Sequence, residues 1–77
     1  MTDDPTKLRK RSVVIAGHST SVSVEGVFWD ELQAIAARLN LSINALIGEI
    51  DACHTGNLSS AIRVHVLADM KARSDGD

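Results

Sequence analysis

The sequence predicts an α+β fold, mostly α, in which one β-strand or a short β-hairpin is followed by three helices. Three observations carry that expectation. Residues 12–24 are β-branched or small and carry no charge, which is strand chemistry. From Gly26 the apolar residues recur every three or four positions, the period of an amphipathic helix. That helical pattern is interrupted at Asn40 and again at Thr55-Gly56-Asn57, residues that favour helix ends and turns.

The strand region opens with Ser12-Val13-Val14-Ile15-Ala16 and continues past Gly17-His18. In its second half Thr20, Val22 and Val24 fall on one face and Ser19, Ser21 and Ser23 on the other, the two-residue period of a half-buried strand. Gly17 leaves two arrangements open: a hairpin turning at Gly17-His18, or one long strand with a bulge there. A two-stranded hairpin is unstable alone, so either arrangement needs helices or another chain packed against it.

The first helix is expected from Gly26 to Asn40, with Phe28, Leu32, Ile35 and Leu39 on its apolar side and Trp29 and Ala36 beside them. Acidic Glu25, Asp30 and Glu31 near its start suit the positive end of the helix dipole. Ser42 has the character of a cap for a second helix over 43–53, with Ile43, Leu46, Ile47 and Ile50 as its buried stripe. A third helix follows, capped by Asn57 or Ser59, with Leu58, Ala61, Ile62, His65, Val66 and Ala68 to Met70 as a broad apolar band. A helix apolar over so much of its circumference calls for cover on more than one side, which points to a second chain.

Composition leads the same way. At 77 residues, with Phe28 and Trp29 as the aromatic complement, the core must be built from Val, Ile, Leu and Ala. Chains this short often gain stability by association. The expected organisation is a flexible basic arm over 1–11, one domain over 12–73 and a disordered tail over 74–77. Formal net charge is -2, but Lys7, Arg9, Lys10 and Arg11 concentrate positive charge near the N-terminus, while residues 25–51 carry five acids against Arg38. The single Cys53 excludes an internal disulfide and fits a reducing cytoplasm. No stretch approaches a signal-peptide core or a membrane span.

Catalysis finds no support: there is no Gly-x-Ser-x-Gly nucleophile motif, no phosphate-binding glycine loop, and the carboxylates sit on solvent-facing helix positions. Neighbouring Cys53 and His54 point about 100° apart on a helix, and His18 and His65 stand at no ligand spacing to either, so no metal site and no cofactor are expected.

A ribbon of alternating residues, an amphipathic helix, a tight turn and a second helix opening with Ser42-Ile43-Asn44 resembles the Arc- and MetJ-like ribbon-helix-helix DNA-binding family over Thr20 to about Cys53. The flanks, Gly17 to Glu25 and Asn57 to Val64, resemble a short bacterial subfamily with an additional C-terminal helix. The resemblance implies a cytoplasmic, intertwined homodimer, or a higher homo-oligomer, that regulates transcription by inserting a two-stranded ribbon into the DNA major groove. On this chain Ser19, Ser21 and Ser23 would face the bases. Ser42, Ile43 and Asn44, with Arg9, Lys10 and Arg11, would hold phosphates. Val22, Val24, Trp29, Leu32, Ile43, Leu46, Ile47, Ile50, Ile62 and Val66 would form the dimer core. The implied partners are double-stranded DNA and a second copy of the chain, without membrane or small-molecule substrate. The alternative is the same fold kept as a protein-interaction module without DNA binding.

Overall fold

The structure, a computed structural model, describes residues 6–53 and 56–75. Among these residues the chain forms β1 (Leu8–Ile15), β2 (His18–Glu25), α1 (Gly26–Arg38), α2 (Ile43–Cys53) and α3 (Leu58–Asp75). The strands pair antiparallel, from Leu8 opposite Glu25 to Ile15 opposite His18. Of the two arrangements open at Gly17, the hairpin is the one that forms. Its central turn residues are Ala16 and Gly17 rather than Gly17 and His18, with φ of 52° and 80°. Positive φ at both central positions is what the type I′ turn requires, and its twist matches that of the flanking strands.

Gly17 takes this conformation without steric cost, whereas Ala16 brings a Cβ into the left-handed region at a cost of roughly 1 kcal/mol. Ala16→Asn, which creates the preferred Asn-Gly turn, is therefore expected to stabilise the protein by about 0.5–1 kcal/mol. The check is a urea transition shifted to higher midpoint with unchanged slope; an unchanged or lower midpoint would refute the turn assignment.

β1 starts at Leu8, not Ser12, so residues 8–11 belong to the sheet and not to a flexible arm. Leu8, Arg9 and Lys10 are exposed and show no apolar alternation; the backbone ladder recruits them. The arm's first five residues lie outside the described ones. At the other end α3 runs through Ser74 to Asp75, so the expected tail is helical up to that point, and residues 76–77 lie outside the described ones.

α1 ends as Asn40 suggested. Asn40 has φ 62°, its N–H donates to the Ala37 carbonyl, and the Leu41 N–H donates back to the Ala36 carbonyl at 2.8 Å. This paired arrangement is a Schellman motif, with asparagine where glycine is commonest. It reverses the chain so that α2 can return beneath the hairpin. At the start of α1, Glu25 makes no side-chain cap; its carboxylate is bound to Arg63 of α3 at 2.9 Å instead.

The core comprises Val13, Val22 and Val24 from the sheet, Leu32, Ile35 and Ala36 from α1, Leu46, Ile47 and Ile50 from α2, and Ile62 and Val66 from α3. Trp29, Ile43, Phe28 and Leu58 pack around it, partly buried. Of the residues expected in the core, Val22, Val24, Leu32, Leu46, Ile47, Ile50, Ile62 and Val66 are buried within this chain while Trp29 and Ile43 are partly buried, and the hairpin packs on its own helices. Ile62 and Val66 are buried, while Val64, Leu67 and Met70 stay exposed. Arg38 and Arg73 converge on Asp69 at 2.6 and 3.0 Å, and Arg73 also reaches Glu31 at 3.6 Å, tying α3 to α1.

Candidate nucleic-acid interface

The hairpin has two chemically distinct faces because successive side chains alternate. Val13, Val22 and Val24 point into the core. The opposite face therefore carries Leu8, Lys10, Ser12 and Val14 from β1, in register with Glu25, Ser23, Ser21 and Ser19 from β2. Ser19 and Ser21 are exposed and Ser23 is half-buried. The structure thus brings the three serines onto one solvent-facing surface with Lys10 and Ser12. The acid on this face is Glu25, at its end, and the Arg63 guanidinium holds the Glu25 carboxyl below the usual carboxylate range, chiefly through their hydrogen bond.

That shift sets a pH dependence. A carboxylate whose folded pKa is depressed contributes stability fully present above its unfolded value, near 4.5, and lost as pH falls through the lower folded value. Glu25→Gln is expected to flatten the acid limb of a thermal-stability profile below about pH 4.5; an unaltered acid limb would show that this pair is not responsible.

The basic residues separate by parity. Lys10 shares the outer face with the serines, whereas Arg9 and Arg11 lie on the opposite side of β1 with Val13. Arg11 is folded over Trp29, its guanidinium carbon 4.6 Å from the ring centroid, and its Nε is buried without a hydrogen-bond partner. The three consecutive basic residues therefore fall on two faces of the strand, and Arg11 packs on Trp29. The signal was in the sequence: once the strand is extended back to Leu8, the odd positions fall in line with buried Val13.

The α2 N-terminus lies against the outer edge of β1. Ser42 Oγ accepts the Ala45 N–H at 3.0 Å and the Ser42 carbonyl accepts the Leu46 N–H, so Ser42 is the helix cap. Asn44 Oδ1 accepts the Val14 N–H at 3.5 Å, which fastens the helix start to the strand. Sequence reasoning missed the equivalent contact on the far edge. Ser59, at the start of α3, accepts the Ser23 N–H at 3.0 Å, and Arg63, besides binding Glu25, lies over Phe28. Contacts between residues so distant in sequence leave no local pattern.

The described residues include no cluster of three or more His, Cys, Asp or Glu that could hold a metal; His54 lies outside them. None of their helices is long and apolar enough to cross a membrane.

A ribbon-helix-helix domain model matches residues 8–70, the hairpin and nearly all of the three helices. The chain belongs to the ribbon-helix-helix family. Members of this family typically bind DNA as regulators, usually as dimers, and the fold is not an enzymatic one. Among solved structures, this ribbon-helix-helix chain is similar to an uncharacterized protein from Bordetella pertussis Tohama I, with 29% identity and a TM-score of 0.81. The likeness covers 94% of this chain but 62% of that one, so the ribbon-helix-helix chain spans less than two thirds of that protein's length. No curated protein matches it.

Proposed function

We propose that this ribbon-helix-helix protein is a DNA-binding regulator that lays the outer face of its hairpin in the major groove and acts by occupying a site, in the reducing cytoplasm that an unpaired cysteine favours. The observation that carries this reading is the composition of that face. It holds Lys10, Ser12, Ser19, Ser21 and Ser23, and its one acid is neutralised by Arg63. A two-stranded ribbon fits the groove, and hydroxyl and ammonium groups can bond to base edges there. At the rim, the Ile43 and Asn44 amides open α2, where the helix dipole favours a phosphate.

Fluorescence anisotropy with labelled duplex DNA at about 50 and 200 mM salt tests this. Micromolar binding that weakens as salt rises is expected, with Lys10→Glu reducing affinity at least about tenfold at the lower salt. Absence of salt-sensitive binding at micromolar protein would overturn the reading.

One observation favours the protein-interaction alternative: Val64 and Leu67 are 64% and 56% exposed on α3, away from the ribbon. On that reading Leu67→Glu lowers the mass seen by light scattering while leaving DNA affinity alone. A wild-type mass of one chain at high concentration would remove it.

A further inference from the structure

We infer that base discrimination lies on β1 and not on the serine strand, with Lys10 selecting a guanine and Val14 a thymine. This rests on the DNA-binding reading above, names the bases recognised, and holds for each hairpin whatever number of copies one site takes.

The two strands contribute unequally to the outer face. Its rungs are Lys10 with Ser23, Ser12 with Ser21, and Val14 with Ser19. A hydroxyl both donates and accepts, so a serine can bond to the edge of any base. The four serines therefore supply contact without choice. The two remaining side chains of these rungs each suit one base. An ammonium has donors and no acceptor, which fits the paired O6 and N7 acceptors of guanine, whereas adenine and cytosine put an amino donor in its way. An isopropyl group has neither, and the apolar group in the major groove is the thymine methyl. The family resemblance puts base contact on Ser19, Ser21 and Ser23; the register adds a second strand that carries the discriminating groups.

Val14 is an apolar side chain 50% exposed on a face otherwise made of hydroxyls and an ammonium, while its inward neighbour Val13 is buried. Being β-branched, it is stiff at χ1 and presents its methyls in a fixed direction. The other exposed apolar residue of this face, Leu8, stands opposite Glu25 at the open end of the hairpin, one rung beyond Lys10.

Both discriminating rungs are held from outside the sheet. The Val14 N–H donates to Asn44 Oδ1 at 3.5 Å, at the start of α2. In the Lys10 rung the Ser23 N–H donates to Ser59 Oγ at 3.0 Å, and Arg63 Nη2 donates to the Ser23 carbonyl at 3.5 Å. One helix start thus fixes the β1 edge and another fixes the β2 edge, support of the kind that preorganises a recognition surface. Lys10 and Val14 are four residues apart on one strand, about 13 Å. At 3.4 Å for each base pair that distance covers roughly three to four steps. The expected recognition element is a guanine toward Lys10 and a thymine toward Val14 at that spacing.

Selection from random duplex DNA, followed by anisotropy on the selected duplex carrying single base analogues, tests the readout. A deazaguanine lacking N7 removes one acceptor and should weaken wild-type binding about tenfold. Deoxyuridine in place of thymidine removes the methyl alone and should weaken it about fourfold. Lys10→Ala should be indifferent to the first analogue and Val14→Ser to the second, each keeping the sensitivity of the other position. An ammonium in the groove also displaces counterions, so Lys10→Ala lowers the salt slope too; loss of selectivity at one position is what separates base contact from phosphate contact. A Lys10→Ala protein weakened equally on every sequence, or a Val14→Ser protein as sensitive to deoxyuridine as the wild type, would overturn the inference and leave the DNA-binding reading standing. A wild-type protein without salt-sensitive binding to any duplex would sink both.

Discussion

Replacing Val66 with aspartate is expected to leave the protein unfolded at room temperature, whereas the same substitution two residues earlier, at Val64, is expected to change stability by no more than about 0.5 kcal/mol. Val66 is 1% exposed and packed in the core beneath the hairpin; Val64 is on the open side of the same helix. A carboxylate at position 66 would have to be desolvated without a partner or held protonated, and either costs several kcal/mol. A chain of this length has a total stability of about 4–12 kcal/mol, so one such penalty consumes most of it. Circular dichroism on the two variants reads the difference directly, and a Val66→Asp protein that melts near the wild-type temperature would contradict the packing described. The wild type supplies the complementary measurement. A core closed within one chain gives a melting temperature independent of protein concentration, while a core shared between two chains gives one that rises with it.

The contrast between Val64 and Val66 also marks how far the sequence can be read. Elements with strong local periodicity are legible. Val22 and Val24 alternate with serines and are buried, and Leu32, Ile35 and Ile47 follow the helical period and form the centre of the core. Asn40 and Ser42 declare a helix end and a helix start through their own backbone chemistry. What cannot be read is where global geometry overrides local preference. Ala16 is a poor residue for its turn, so the hairpin announces itself only through Gly17, and its centre lies one residue earlier than Gly17-His18. Leu8 to Arg11 lack any strand pattern because they lie at the open end of the ladder, where pairing with Val22 to Glu25 supplies the order. On α3 the broad apolar band divides, within one chain, into a buried stripe of Ile62 and Val66 and an exposed one of Val64, Leu67 and Met70. The serine face is legible as a face, but its company is not. That Lys10 joins it and Arg11 does not depends on the starting point of β1.

Trp29→Ala is expected to destabilise the protein by about 2–3 kcal/mol, at or just below the bottom of the range of roughly 3–5 kcal/mol for deleting a fully buried large aromatic, because the ring is only partly buried. Part of that loss is the contact with Arg11, whose guanidinium carbon stands 4.6 Å from the ring centroid. A cation held against an indole face is worth roughly 0.5–2 kcal/mol. The net effect of Arg11→Ala should be near 1 kcal/mol, since truncation loses the stacking but also removes an Nε that is buried without a partner. Because the two side chains share that contact, the two substitutions are not additive, and the double mutant recovers about 0.5–1.5 kcal/mol of the summed losses. The same pair of residues decides whether the basic cluster acts as a unit on DNA. Each phosphate neutralised contributes close to one unit to the slope of log affinity against log salt. A residue spent on Trp29 should leave that slope unchanged when it is removed, whatever it does to the melting temperature. Lys10→Ala should do the reverse, lowering affinity with little effect on stability, because its side chain stands on the solvent face. Equal losses of salt slope from Arg11→Ala and Lys10→Ala would mean that Arg11 leaves the indole to reach phosphate, and the division of the ribbon into a packing face and a reading face would then fail.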